Sequence, residues 1–262
     1  MKIGLIGCGA IGKFLLEKLN HERILSGYQI SAVLDERPSS SVKLQHLSKT
    51  YGFTTYQDIT EFLQSDIELV VECANIETIT KYATRILSEK DLLLISIGAL
   101  ANSTLFKEIS AVSKTNHHKV YLPAGAIGGL DIIKNANVLG GLQSVSLVTR
   151  KPITAFSDET FREETILFEG SAKHAIQKYP KNANVAIVLS LAGIGIEKTS
   201  VKMIADPSVT KNIHTIHAWG DFGEVELTVQ NNPSEDNAKT SYLTALSILS
   251  ALRSLNEQIV IG

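Results

Sequence analysis

The chain reads as an α/β protein, with an N-terminal doubly wound parallel sheet followed by a second α+β domain on a mainly antiparallel sheet. Three observations predict this. Strand-like and helix-like patterns alternate through the first half, the arrangement that builds a parallel sheet covered by helices. The run Asp91-Leu-Leu-Leu-Ile-Ser-Ile97 is continuously apolar, as strands buried on both faces are. After Pro123-Ala-Gly-Ala-Ile-Gly-Gly129 the strands turn to partial alternation, and Gly220-Asp-Phe-Gly223 is a connection of hairpin size.

Each element has its own signal. Met1–Ile6 is an apolar strand, followed by Gly7-Cys8-Gly9-Ala10-Ile11-Gly12 and a helix with Ile11, Phe14, Leu15 and Leu19 on one stripe. A second strand, Ile30 to Leu34, ends in Asp35, and the polar stretch Glu36-Arg-Pro-Ser-Ser-Ser reads as a loop. Glu68 to Ala74 is a strand, and Glu77 to Lys90 a helix that turns Ile79, Tyr82, Ala83 and Ile86 inward. Asp91 to Ile97 is a strand, Ser103 to Ser113 a helix and Lys119 to Leu122 a short strand. In the second half, Gln143–Lys151, Glu164–Phe168, Thr199–Ala205, Ile213–Trp219 and Glu224–Gln230 read as strands. Ser171–Lys178 and Val185–Gly193 read as helices, and a last helix over Lys239 to Asn256 carries Leu243, Leu246, Leu249 and Leu252 at helical spacing.

The glycine spacing after the first strand solves a particular problem, the burial of a pyrophosphate against backbone. Gly7 allows the tight turn, Gly9 lets the phosphate approach, and Gly12 lets the next helix pack closely on the strand. Ala10 and Ile11 then open a helix whose N–H groups and positive dipole end face the phosphates. With an acidic residue, Asp35, at the end of the second strand, this is a Rossmann dinucleotide fingerprint. Asp35 suits the adenosine ribose hydroxyls of NAD; Arg37, two residues on, suits the 2′-phosphate of NADP, so either cofactor is open. Gly7, Asp35, Cys73-Ala74-Asn75 and Ser96 to Ala99 should gather at the carboxyl ends of the strands, where ligands bind in such sheets.

The composition excludes several classes. A net charge of −2 gives no electrostatic case for nucleic acid or an anionic membrane surface, and the longest apolar runs are too short to span a bilayer. The N-terminus enters a strand with no signal-peptide pattern, and two cysteines supply neither a disulfide framework nor a zinc site. A reducing cytoplasm is the expected location. The expected domains are 1–122, binding the dinucleotide, and 123–235, carrying the substrate chemistry; a C-terminal helix over 236–262 returns to the first, and the two share a cleft.

Candidate chemistry in the second half centres on a histidine. His214 and His217 are spaced for a shared helix face, but Asn212-Ile-His-Thr-Ile-His-Ala-Trp219 is rich in β-branched and aromatic residues, so a strand is expected. On a strand Asn212, His214 and Ile216 share one face and His217 and Trp219 the other, so the pair diverges and no metal site is expected. Asp206 and Asn212 are candidates to cluster with His214, whose imidazole suits general acid/base work. His117 and His118 read as a solvated loop. Asn184, before an apolar helix, is either a cap or a partner for a carboxamide such as nicotinamide. Lys239, Thr240 and Ser241, at the head of the last helix, have the side chains to hold a substrate carboxylate.

These pieces together resemble the L-aspartate dehydrogenase family over nearly the whole chain. The resemblance rests on the glycine fingerprint, Val71-Glu-Cys-Ala74, Pro123-Ala-Gly-Ala-Ile-Gly-Gly-Leu-Asp131, Lys181-Asn-Ala-Asn-Val-Ala186, Ala205-Asp-Pro207 with Asn212-Ile-His214, and Asn237-Ala-Lys-Thr-Ser241. The sequence departs from the family pattern at Ala238, where Pro usually follows Asn. The resemblance implies a homodimer that oxidatively deaminates L-aspartate to iminoaspartate, then oxaloacetate and ammonia, with a link to NAD biosynthesis. It implies His214 as the catalytic acid/base and contacts from Ala124 and Asn184 to the NAD, beside Cys73 and Ala74. Asn212, Lys239, Thr240 and Ser241 are then the expected substrate contacts. The competing expectations are a reductase resembling dihydrodipicolinate reductase and a catalytically silent NAD-binding regulatory protein.

Overall fold

The computed structural model describes residues 1–37, 41–156, 161–180, 182–234 and 237–259, with only the backbone of Ser41 and of Asn237, Ala238 and Lys239. The chain divides into two compact units: Met1–Pro123 with Ala251–Leu255, and Ala124–Ser250 with Asn256 and the described residues after it.

In the first unit the strands are β1 (Lys2–Ile6), β2 (Gln29–Leu34), β3 (Thr54–Tyr56), β4 (Leu69–Glu72), β5 (Asp91–Leu94) and β6 (Val120–Tyr121). They form one sheet in the order β3-β2-β1-β4-β5-β6, every pair parallel. This is the doubly wound order that reverses direction beside the first strand. Between the strands run α1 (Ala10–Leu16), α2 (Ser41–Tyr51), α3 (Ile59–Gln64), α4 (Ile76–Leu87) and α5 (Ser103–Asn116). Local chemistry starts them: the side chains of Asp58, Asn75 and Asn102 each accept backbone N–H groups at the N-terminus of α3, α4 and α5. Helix α4 buries Ile79, Tyr82, Ala83 and Ile86 along one stripe, and β1 is buried from Ile3 to Ile6.

The carboxyl ends of β4 and β5 are tied by one carboxylate. Glu72, 0 % exposed, accepts from Ala74 N at 2.7 Å, Ser96 Oγ at 2.7 Å, Ser96 N at 2.9 Å and Ile95 N at 3.3 Å. This explains a departure from the sequence reading. The apolar run 91–97 does not stay in the sheet: β5 stops at Leu94 because the next two amides turn to Glu72, and Ile97–Ala101 follows as a 3₁₀ turn. Three elements between Ser41 and Gln64 also carried no sequence signal. Helix α2 buries only Leu44 among its described side chains, while β3 and α3 are three and six residues long.

The second unit contains α6 (Leu130–Asn137), β7 (Leu142–Lys151), β8 (Thr165–Ser171), α7 (Ala172–Lys178), α8 (Asn184–Ala192), β9 (Ser200–Ala205), β10 (Asn212–Gly220), β11 (Gly223–Asn231), β12 (Pro233–Ser234), β13 (Asn237–Ser241) and α9 (Tyr242–Ser254), whose last turn belongs to the first unit. The main sheet has the order β11-β10-β7-β9-β8; only β7 and β9 run parallel, so it is mainly antiparallel. Helix α8 is buried from Ala186 to Ser190. The final helix is shorter than its leucine spacing predicts. Residues 237–241 form strand β13, paired with β12, and Tyr242 begins the helix. Lys239, Thr240 and Ser241 therefore sit on a strand rather than on a helix N-terminus, and residues 236 and 260–262 of the expected helix lie outside the described residues.

Gly4 marks how tightly the first unit is packed. A Cβ there would lie 2.5 Å from Phe62 Cζ and 2.6 Å from Ile67 Cδ1. Gly4→Ala is expected to destabilise the fold by about 1–3 kcal/mol, read as a lower urea midpoint at unchanged slope.

Candidate functional site

In the first unit, a cleft of ≈ 340 Å³ opens at the carboxyl ends of β1, β2 and β4, lined by Gly7, Gly9, Asp35, Cys73, Ala74, Asn75 and Tyr82 among others. The three glycines serve three purposes. Gly7 has φ +90°, and a Cβ there would press on Ala74 at 2.9 Å. A Cβ on Gly9 would meet nothing within 4 Å, so it would project into open space. A Cβ on Gly12 would sit 2.4 Å from the Gly7 carbonyl oxygen, so only glycine allows α1 this close to the turn. Ala10 and Ile11 are the first residues of α1. A phosphate against Gly9 would face that helix start, and the residues fit a dinucleotide.

Asp35 ends β2 in the cleft wall. Its carboxylate accepts from Arg37 Nε at 2.8 Å, from Arg37 Nη2 at 2.5 Å and from the Arg37 amide at 3.1 Å. The guanidinium therefore stands at the end of β2, in the cleft wall. Next to it, Cys8, Gly9, Asp35, Arg37 and Lys43 line a smaller recess, and Lys13 beside Lys43 pulls the Lys43 pKa down. Across the cleft, Glu36 accepts from Lys81 Nζ at 3.2 Å and from the Tyr82 hydroxyl. Burial raises the thiol pKa values of Cys8 and Cys73, so both are neutral wall residues at physiological pH.

In the second unit, four polar side chains share one face of two adjacent strands. His214 pairs across the sheet with Thr149, and Ile213 with Arg150; the antiparallel register therefore sets Asn212 opposite Lys151. Side chains alternate along each strand, so Thr149, Lys151, Asn212 and His214 point the same way. All four are buried, His214 to 2 % exposure and Lys151 to 5 %. His214 Nδ1 lies 3.0 Å from Thr149 Oγ1, which leaves Nε2 for other chemistry. Lys151 Nζ donates to Asn182 Oδ1 at 3.1 Å, and Asn212 Nδ2 donates to Ser241 Oγ at 3.3 Å. Burial, aided by the Lys151 charge, lowers the His214 pKa to about 3, so the imidazole is neutral at pH 7. Burial lowers that of Lys151 to about 8.

The remaining candidates fall in different places. Ala124 opens the second unit in a loop, half-buried, and Asn184 is the first residue of α8, half-buried. The cap position there is Ala183, with no side-chain cap, so Asn184 does not start the helix as a cap. Ser241 reaches the polar face through Asn212, Thr240 stands beside it on β13, and the Lys239 side chain lies outside the described residues, as does Lys181. Asp206 does not join His214; its carboxylate takes Arg150 and the Ser208 hydroxyl, the latter at 2.6 Å. His217 leaves the polar face and pairs with Glu226 at 3.4 Å, and His118 pairs with Asp91 at 3.1 Å rather than lying free in solvent. Thr149 and Lys151 were missed in the sequence, although Lys151 was a signal: a lysine closing a strand whose alternate positions are apolar. Among the described residues no group of three or more His, Cys, Asp or Glu could hold a metal ion.

Comparison with known proteins agrees with both halves. Residues 131–255 match the family model described as aspartate dehydrogenase, C-terminal, and residues 7–123 the one described as homoserine dehydrogenase, NAD binding domain. The chain is 40% identical over 262 residues to an L-aspartate dehydrogenase of Archaeoglobus fulgidus, covering 100% of both chains. It is 36% identical over 274 residues to one from Methanosarcina barkeri, covering 100% of this chain and 99% of that one. Among solved structures it superposes on aspartate dehydrogenase from Thermotoga maritima with a TM-score of 0.79 at 29% identity, covering 100% of this chain and 99% of the other.

The buried imidazole makes stability depend on pH. In the fold His214 takes a proton only near pH 3, whereas an unfolded histidine does so near 6.5. Between those values the folded state binds fewer protons, so its stability falls as pH drops from 6.5 towards 3 and is fully present above 6.5. His214→Gln is expected to flatten that part of the profile. Thermal melts over this range measure it, and equal slopes for the two proteins would count against a buried neutral imidazole.

Proposed function

We propose a reaction for this chain, which belongs to the L-aspartate dehydrogenase family: oxidative deamination of L-aspartate with NAD or NADP. The Cα hydride leaves with an amine proton to give iminoaspartate, and water then converts that to oxaloacetate and ammonia. The observation that carries the reading is the His214 imidazole, buried and neutral, in a chain that also has a built dinucleotide cleft.

The bound nicotinamide supplies the hydride acceptor. The protein's own residues do the rest. Gly7, Gly9, Ala10, Ile11 and Gly12 receive the pyrophosphate, with Cys73 and Ala74 forming the wall beyond it. Ala124 and Asn184 complete the cofactor contacts. His214 accepts the proton released at the substrate amine and handles that of the attacking water; its lowered pKa keeps it in the base form needed to accept one. Asn212, Lys239, Thr240 and Ser241 supply hydrogen bonds to the substrate. Holding Cα near the hydride acceptor is a task of orientation, which rigid strands perform well.

Asp35 serves NAD, through the ribose hydroxyls, and Arg37 with Lys43 serves the 2′-phosphate of NADP, so both cofactors are used. The product iminoaspartate feeds NAD biosynthesis. The free cysteines suit a reducing cytoplasm. Among the described residues no helix is long and apolar enough to cross a membrane. The half-exposed Trp219 and the exposed Phe222, at the hairpin end of the second sheet, suit a homodimer contact.

Purified protein is expected to reduce NAD and NADP in the presence of L-aspartate, followed by the absorbance of the reduced cofactor; no turnover with either would sink the assignment. His214→Ala should cut kcat by about 10²–10⁴ while cofactor affinity stays within about twofold. Arg37→Ala should lower kcat/KM for NADP roughly tenfold more than for NAD, as expected for loss of one charge-assisted contact. An equal effect on both would remove Arg37 from the phosphate site.

A further inference from the structure

We propose that Thr149 is the positioning residue for His214: its hydroxyl accepts the Nδ1 hydrogen, so that Nε2 is aimed at the reacting atoms with its lone pair unoccupied. This rests on the reaction proposed above and deepens it by naming what aims the base.

Two observations carry it. The first is the contact itself. Thr149 Oγ1 lies 3.0 Å from His214 Nδ1, and the two residues stand directly opposite one another on β7 and β10. Thr149 is 0 % exposed and His214 2 %. The hydroxyl is held still, because a β-branched side chain has few χ1 wells and packed strands carry both ends of the bond. An imidazole needs such a hold, since its χ2 torsion is roughly two-fold. After a half-turn the ring keeps its outline but exchanges Nδ1 with Cδ2 and Nε2 with Cε1. Shape does not tell the two orientations apart. The hydroxyl does, because it bonds to Nδ1 and has nothing to bond at Cδ2.

The second is the place this hydroxyl occupies. Val145 and Leu147 fill the preceding inward positions of β7, and a valine at 149 would continue them with no polar atom to match. A buried hydroxyl is costly unless it is bonded, and here the bond goes to the imidazole. Its lack of charge matters as well. Burial and the Lys151 charge hold the ring neutral, and a hydroxyl accepts from Nδ1–H without disturbing that balance. A carboxylate in its place would favour the charged ring and retain the proton. With threonine, the proton that Nε2 takes from the substrate amine is given up again to the nitrogen that leaves as ammonia.

The test compares Thr149→Val, which keeps the branched shape and loses the oxygen, with Thr149→Ser, which keeps the oxygen and loses the methyl group. Steady-state kinetics with L-aspartate and NAD is paired with nitrogen NMR of histidine-labelled protein saturated with NADH, the His214 signals being assigned by their loss in His214→Gln. Thr149→Val is expected to lower kcat by about 10–100-fold while KM for L-aspartate stays within about threefold, and Thr149→Ser to recover most of the rate. At neutral pH, wild type and the serine variant should show Nδ1 bearing hydrogen and Nε2 bare, a pattern the valine variant should lose. A valine variant with wild-type kcat, the result a packing role gives, overturns the proposal. So does a serine variant no better than the valine one, or a wild-type His214 whose hydrogen sits on Nε2. If the spectra depend on Thr149 as expected yet L-aspartate is never oxidised, the hold on His214 stands and the reaction assignment falls.

Discussion

One buried carboxyl group organises the dinucleotide end of this protein. Glu72 has no exposed surface, and its two oxygens take four hydrogen bonds from the segments that leave β4 and β5. Burial favours the protonated acid, while the donors arrayed around it favour the anion; the net direction is a raised pKa. What the arrangement achieves is positional. It fixes where Cys73 and Ala74 stand against Gly7, and so the shape of the cleft wall. The tight approach of Gly12 to the Gly7 carbonyl fixes the opposite wall. Both walls of the cleft are thus set by short contacts within the first unit.

The second unit uses the same strategy with different chemistry. A mainly antiparallel sheet ordinarily keeps one face apolar. Here the inward face of β7 and β10 changes character along its length, from Val145, Leu147 and Ile216 to Thr149, Lys151, His214 and Asn212. The apolar stretch anchors the strands, and the polar stretch inherits their rigidity. An imidazole buried this deeply on packed strands is held in its neutral form by desolvation.

Much of this was legible in the sequence, and the exceptions share a cause. The glycine fingerprint, the parallel sheet and the divergence of His214 from His217 follow from local spacing, and local spacing survived folding. What failed depended on partners distant in sequence. Strand β5 ends early because of Glu72, more than twenty residues upstream. Lys239, Thr240 and Ser241 left the helix because β12 captured them as a ribbon, although the leucine spacing of α9 ran on towards them. Asp206 was drawn away by Arg150, on the alternate face of β7. Lys151 escaped notice because its meaning arises only from the register that sets it opposite Asn212. Helix α2 was invisible because a helix with one buried described side chain has almost no periodicity to read.

The way the chain returns on itself bears on how the molecule is made. Residues 251–255 belong to the first unit, and the Tyr28 hydroxyl donates to the Leu252 carbonyl at 2.5 Å across most of the length of the chain. Chains fold as they emerge, N-terminal part first, at about 5–20 residues per second. The nucleotide half can therefore assemble its sheet early but must wait, through the synthesis of the whole second unit, for the turn of helix that closes over Tyr28. For that interval the nascent chain lacks the turn whose Leu252 carbonyl accepts from Tyr28.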